Sequence, residues 1–487
     1  MSLAYALPAE AGINPKGITE LLKTLSKKNC HSIMILRHGK IITEGWWSPY
    51  SKELPHVLYS LSKSFTSIAY AFAFQENLIS PEDEVLPYLR SIFTAEPCEY
   101  FKKAKISHLL SMTMGHQKET EYVPYDNWLE RFTKQYIENE PGSVFYYDNS
   151  NTYLAGVILE KITGVSLEEF LTPRLFKPLG FQKGWWEKSP EGHSKAFCGL
   201  NLRTEDIAKF GQLLLNKGTW EGKQLLRSDI VEEMTKSHIS NRGDGTGYPD
   251  CIEGYSYFFW RCHIKDSYRG DGANGQYCVV LPEQDMVIAI TAGFEPMNDI
   301  LMSVWDKLLP AVDSFAEVKE EDQQELEELI KELKIELPEA LGTEKLPFDK
   351  KTYAFTENSM GIMEVSMEVS MEISAEQSIQ SGNKNQFKFL TKDGTFTYLA
   401  DSKEWTYGEK QRTTEEDCLR TTFFKNSVSC GIWKDNIYEL HIIYINTPFH
   451  DTYGLEFRKD HVRVHYKRFP AQVYHSGFCK LIGTAID

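Results

Sequence analysis

Residues 58–74 read LYSLSKSFTSIAYAFAF and hold Ser60 and Lys63 three positions apart, followed by apolar residues at Leu61, Phe65, Ile68 and Phe72. That spacing predicts a helix with one buried stripe. On a helix, positions i and i+3 share a face, so the Ser60 hydroxyl and the Lys63 amine fall within hydrogen-bond reach at the helix start. A hydroxyl beside an amine is a nucleophile with its base, provided that burial or a neighbouring cation favours the neutral amine. The N-terminal end of the same helix offers a positive potential and N–H groups that suit an oxyanion forming on a carbonyl attacked by Ser60. S-x-x-K is also how an ordinary amphipathic helix can begin, so its weight comes from what accompanies it.

Two other stretches accompany it. Residues 141–153, PGSVFYYDNSNTY, run through a loop into a helix, with Tyr147 and Asn149 placed to aim a phenol and an amide into one cleft. A phenol beside a lysine ammonium loses its proton more easily and can pass protons between Ser60 and a leaving group. The simpler role for Tyr147, one of 25 tyrosines, is packing. Residues 270–276, GDGANGQ, precede a strand. They read as a tight loop whose small residues let the backbone approach a ligand, with one N–H available to an oxyanion hole.

Composition bounds the function. A chain of 487 residues with 41% hydrophobic and 13% aromatic residues is long and apolar enough for two or three globular domains. A net charge of −16 argues against a nucleic-acid backbone or an anionic membrane as partner. Nine cysteines, odd in number, scattered and without a C-x-x-C, read as reduced thiols of an intracellular protein. Cys262 and His263 are adjacent, yet neighbours on a strand point to opposite faces and no second ligand pair has zinc spacing, so no metal and no cofactor is expected. The first residues, MSLAYALPAEAGINPKG, lack the basic start and apolar core of a signal peptide, and no apolar run reaches membrane-spanning length. The expected location is the cytoplasm.

Along the chain, residues 18–25 predict a short helix, and residues 32–36 and 41–47 predict a hairpin around Arg37-His38-Gly39-Lys40. Residues 60–240 read as mainly helical, including a helix over 153–163 stopped by Gly164. Strands are expected at 255–263, 276–281 and 286–291, forming with the first hairpin one antiparallel sheet into which the helical region is inserted. Residues 316–344 read as an acidic connecting helix and linker. Beyond it, Met363, Val365, Met367, Val369, Met371 and Ile373 alternate with Glu and Ser, a half-buried strand. Runs at 386–390, 395–399, 437–445, 454–457 and 462–466, with a turn at Lys392-Asp393-Gly394, complete a small antiparallel meander or barrel without a visible chemical constellation.

In this order and at these separations, the three motif-bearing stretches resemble the serine beta-lactamase and penicillin-binding superfamily. The closest look is to the beta-lactamase-related serine hydrolases: class C-like enzymes, esterases and 6-aminohexanoate-dimer hydrolases. Residues 106–113 (ISHLLSMT), 199–214 (GLNLRTEDIAKFGQLL), Asn216-Lys217-Gly218 and 222–226 (GKQLL) agree, so the resemblance spans about residues 8–310. It implies an α/β (α+β) fold, an antiparallel sheet flanked by helices with an inserted helical region. The expected domains are a hydrolase domain over 1–315, the connector over 316–344 and a β-rich domain over 345–487, which in some relatives is lipocalin-like. The resemblance makes Ser60 the acylated nucleophile, Lys63 its base, Tyr147 the proton shuttle and Asn149 its partner on the Y-x-N position. Gly272 and Ala273 stand at the oxyanion site, with the N–H groups of Ser60 and Ala273 as donors.

One departure is informative. Where antibiotic-binding members carry Lys-Thr-Gly or His-Thr-Gly, this chain aligns as Gly270-Asp271-Gly272, without the cation that grips a substrate carboxylate. Small esters or amides are therefore the expected substrates, with little true beta-lactamase activity, although Arg269 next door could partly replace the cation. A D-amino-acid-specific peptidase or amidase and a non-catalytic sensor of peptide-like ligands are the alternatives, and a homo-oligomer is compatible with all three. Trp185, Trp186, Tyr255 and Trp260 are candidates for the cleft wall, although core packing is the first expectation for each of them.

Overall fold

The computed structural model describes residues 3–118, 127–182, 184–242, 248–314, 318–339, 346–370, 384–391, 394–407, 427–470 and 478–486. The chain divides into two compact units, Met1–Trp47 with Ser51–Leu333, and Ser48–Tyr50 with Lys334–Asp487.

The first unit is built on a six-stranded antiparallel sheet. Helix α1 (Pro15–Ser26) leads into β1 (Cys30–Arg37) and β2 (Lys40–Trp46). His38 at φ 52° and Gly39 at φ 70° make the left-handed two-residue turn that suits a hairpin between twisted strands. After the helical region come β3 (Trp260–Arg261), β4 (Tyr268–Gly272), β5 (Gln276–Leu281) and β6 (Met286–Ala292). The spatial order is β2-β1-β6-β5-β4-β3, so the chain's first hairpin joins its later strands edge to edge, with the helical region between them in sequence.

Two expectations change here. The strand expected over 255–263 is reduced to Trp260–Arg261, and the Gly-rich stretch expected as a loop is half strand, since β4 runs to Gly272. The glycines are there for space. A Cβ on Gly270 would stand 2.4 Å from Ser64 Oγ, and one on Gly272 would stand 2.0 Å from the Leu58 carbonyl oxygen. Tertiary closeness overrides the poor strand propensity of Gly.

Helix α2 (Ser62–Gln75) is the centre of this unit. Leu61, Phe65, Ile68 and Phe72 are buried as expected, but so is every residue from Ser62 to Ala73. A helix buried all round must satisfy its polar side chains internally. Ser64 Oγ donates to Phe258 O at 3.0 Å, Ser67 Oγ to Tyr257 O at 2.6 Å, Thr66 Oγ1 to Ala196 O at 2.8 Å and Tyr70 OH to Ala155 O at 2.8 Å. These bonds tie the surrounding backbone to α2 at named points, which fixes the walls around its start. Helix α3 (Asn149–Thr163) packs beside it and ends at Gly164, φ 73°, as the sequence pattern predicts. The acidic helix α4 (Glu320–Glu332) lays Leu326 against α1, with Lys23 Nζ 2.6 Å from Glu325 Oε1.

The second unit is a ten-stranded antiparallel sheet. Its ends approach each other: Gly431 N donates to Asp401 O at 3.0 Å and Ser429 Oγ to Leu399 O at 2.9 Å, giving a near-barrel. Val365, Met367, Phe387, Phe389, Tyr398, Leu440 and Leu455 are buried in it. Met363 does not follow the expected alternation. The register shifts between Ile362 and Glu364, so Ile362 is buried and Met363 is 45% exposed. Met371, Ile373 and the turn at Lys392-Asp393 lie outside the described residues.

Candidate active site

Ser60 sits in a one-turn 3₁₀ helix, Tyr59–Leu61, immediately before α2. Tyr59 has φ 47°, a left-handed conformation that costs a non-glycine residue about 1–2 kcal/mol. A strained residue directly before a half-buried serine is where functional sites store conformational cost.

Lys63, one turn on, is 1% exposed. Its Nζ lies 2.9 Å from Ser60 Oγ, 2.6 Å from Asn149 Oδ1 and 3.1 Å from Phe197 O. The Tyr147 ring centroid is 4.8 Å from the same nitrogen. Asn149 opens α3, whose N-cap is Asp148; the Asp148 carboxylate accepts from Ser150 N at 2.8 Å, and this cap sets the position of Asn149. The structure thus brings Ser60, Lys63, Tyr147 and Asn149 around one nitrogen, although Asn149 lies 86 positions from Lys63. Gly272 ends β4 against Leu58 O, two residues before Ser60, and Ala273 follows it, exposed.

Sequence reading does not find the Phe197 carbonyl, because a backbone oxygen carries no residue signature. The only hint is the GLNLRTEDIAKFGQLL stretch that begins just after it.

The departure at Gly270-Asp271-Gly272 takes a different form from the one expected. Arg269 is not a substitute cation. Its side chain is 1% exposed, with Nε 2.8 Å from Asp271 Oδ2 and Nη1 2.9 Å from Asp250 O. Burial pushes the Asp271 carboxyl up, against the opposing pull of Arg269, its hydrogen bonds and Lys63. The two charges compensate each other, leaving no guanidinium for a substrate carboxylate.

Of the four candidate cleft aromatics, Tyr255 and Trp260 do flank Tyr147. Trp260 stacks on it at 5.4 Å between centroids, and Tyr255 meets it edge-on at 6.3 Å. Trp186 is in the core, its indole N–H donating to Lys195 O at 3.0 Å and Cys198 O at 2.9 Å. His263 Nδ1 pairs with Asp250 Oδ1 at 2.9 Å. Among the described residues no group of three or more His, Cys, Asp or Glu side chains is placed to hold a metal ion, and no helix is long and apolar enough to cross a membrane.

A helix-flanked antiparallel sheet with a Ser-Lys pair at its central helix defines a beta-lactamase-type hydrolase fold. The beta-lactamase family matches residues 19–301, more than half of the chain, and this chain belongs to that family. It is 21% identical over 314 residues to a 6-aminohexanoate-dimer hydrolase of Paenarthrobacter ureafaciens, covering 58% of this chain and 78% of that protein. It is 22% identical over 370 residues to a putative D-alanyl-D-alanine carboxypeptidase of Escherichia coli K12, covering 59% and 85%. Among solved structures, a putative 6-aminohexanoate-dimer hydrolase from Bacillus anthracis superposes with a TM-score of 0.53 at 23% identity, covering 63% of this chain and 86% of that one. The fold and family are those of beta-lactamase-like hydrolases, with relatives named as a 6-aminohexanoate-dimer hydrolase and a putative D-alanyl-D-alanine carboxypeptidase.

Proposed function

We propose that the protein hydrolyses small esters or amides through an acyl-enzyme on Ser60. The observation that carries this reading is the environment of Lys63 Nζ. Asn149 Oδ1 and Phe197 O are fixed acceptors for two N–H bonds, so in the neutral amine the lone pair is turned toward Ser60 Oγ.

In acylation the Ser60 O–H proton passes to Lys63 as the Oγ–carbon bond forms, and the N–H groups of Ser60 and Ala273 hold the oxyanion. Collapse breaks the bond to the leaving alcohol or amine, which takes a proton through Tyr147. Water then attacks the acyl-Ser60 ester, gives up its proton by the same route reversed, and releases the acid. The Arg269–Asp271 pair offers no cation to an anionic beta-lactam, so turnover of nitrocefin at rates typical of resistance enzymes is not expected.

Labelling with a fluorophosphonate tests the reading. Wild-type protein should be labelled on Ser60 and Ser60→Ala should not. Absence of label on the wild type would leave a ligand-binding relative rather than an enzyme.

A further inference from the structure

Trp260 touches the proposed proton shuttle without belonging to any motif. Its ring stacks on Tyr147 at 5.4 Å with an interplanar angle of 24°. Tyr255 meets the indole edge-on at 5.0 Å, and Phe145 stands 5.9 Å from it. The indole is itself held in place. The backbone of Trp260 is paired with β4, standing opposite Arg269. Arg269 Nε grips Asp271 Oδ2 at 2.8 Å, and its guanidinium lies 5.6 Å from the centre of the Trp260 ring. Arg269 is anchored in turn on Asp250 O and Arg261 O, at 2.9 and 3.4 Å.

Tyr147 needs such a wall. It lies on the loop before α3 and is half-buried, and the work proposed for it depends on where its ring stands relative to Lys63. The backbone of the preceding residue is tied down, since Tyr146 N donates to Met112 O at 3.0 Å, but that bond does not orient the Tyr147 ring. A face-to-face indole does, because it restricts the ring plane.

We infer that Trp260 is a positioning residue for Tyr147, held by the Arg269 guanidinium that Asp271 fixes in place, so that the buried ion pair acts on catalysis by aiming the phenol. This inference rests on the hydrolase reading above. It gives the Arg269–Asp271 pair a role that needs no contact with substrate, consistent with the 1% exposure of Arg269.

The test compares wild type, Trp260→Phe and Trp260→Leu for rate of fluorophosphonate labelling, and for the acylation burst with p-nitrophenyl butyrate across pH. Thermal midpoints establish that each variant is folded. Trp260→Leu, losing both stacking and anchor, should slow acylation about tenfold or more, as expected of a displaced catalytic group, with KM within about twofold. Its pH–rate profile should shift, because the phenol leaves its place beside Lys63. Trp260→Phe keeps a smaller ring to stack on Tyr147 and weakens the contact with Arg269, so about a threefold loss is expected. Equal labelling and burst rates for folded variants, or a loss confined to KM with a superimposable pH profile, would overturn the inference. Should Trp260→Leu not fold, the comparison of Trp260→Phe with wild type decides the same point. A wild type that is labelled while the variants match it sinks only this inference, whereas an unlabelled wild type sinks both.

Discussion

Each unit buries a basic side chain beside tyrosine, and they surround it differently. In the near-barrel, Arg468 donates to both oxygens of Asp451 at 2.6 and 2.7 Å, and the hydroxyls of Tyr444 and Tyr466 donate to the same carboxylate at 3.0 and 3.1 Å. Charge meets charge and the carboxylate's acceptor sites are occupied, a closed network of the kind that specifies a core. Around Lys63 the hydrogen-bonding partners just described are neutral: an amide oxygen, a carbonyl and a half-buried hydroxyl. The neighbouring Asp271 carboxylate is taken by Arg269. On the proposed reading, neutral acceptors held against an amine suit a group that must take and return a proton, whereas charge held on charge suits a cluster that specifies a core.

That contrast can be broken at either end. Lys63→Met should abolish the reactive arrangement and lower the acylation burst by about 10³–10⁴-fold, the range expected for losing a positioned base, while leaving the thermal midpoint near wild type. A burst within tenfold of wild type would show that another group takes the Ser60 proton. Asp451→Asn should act on stability, because it leaves the Arg468 guanidinium buried without its counter-charge. A loss of about 3 kcal/mol is expected in denaturant titration followed by tryptophan fluorescence, and a change under about 1 kcal/mol would mean that the pair is not a closed structural network.

A smaller effect concerns two histidines of the same unit. His441 Nδ1 and His450 Nε2 are 3.1 Å apart, and burial pushes both imidazoles down to about 4. A lowered histidine favours the folded state above the unfolded value of about 6.5, and that contribution is lost as pH falls toward 4, because the unfolded chain binds the protons first. The denaturation midpoint of the barrel unit should therefore fall between pH 6.5 and 4, and His441→Asn should flatten the decline. An unchanged slope would place the pH dependence elsewhere.

How far the sequence reaches follows from the same residues. Ser60 with Lys63, and Tyr147 with Asn149 ahead of a capped helix, are local spacings, and local spacing is what a helix or its cap dictates directly. Arg269 and Asp271 share a face of β4 by period two, but the glycines around them read as a loop until their close approach to Leu58 and Ser64 is known. Asp451 and Arg468 lie directly opposite each other across paired strands, a relation set by register and absent from either stretch alone. The Phe197 carbonyl is a backbone atom, legible only in three dimensions.

The central claim is tested most directly by acid-quenching the protein during turnover of p-nitrophenyl butyrate and mapping any added mass by peptide. A butyryl group on the peptide containing Ser60, present in wild type and missing from Ser60→Ala, is the predicted result. Turnover without an adduct on that peptide, or an adduct that survives the substitution, would contradict it.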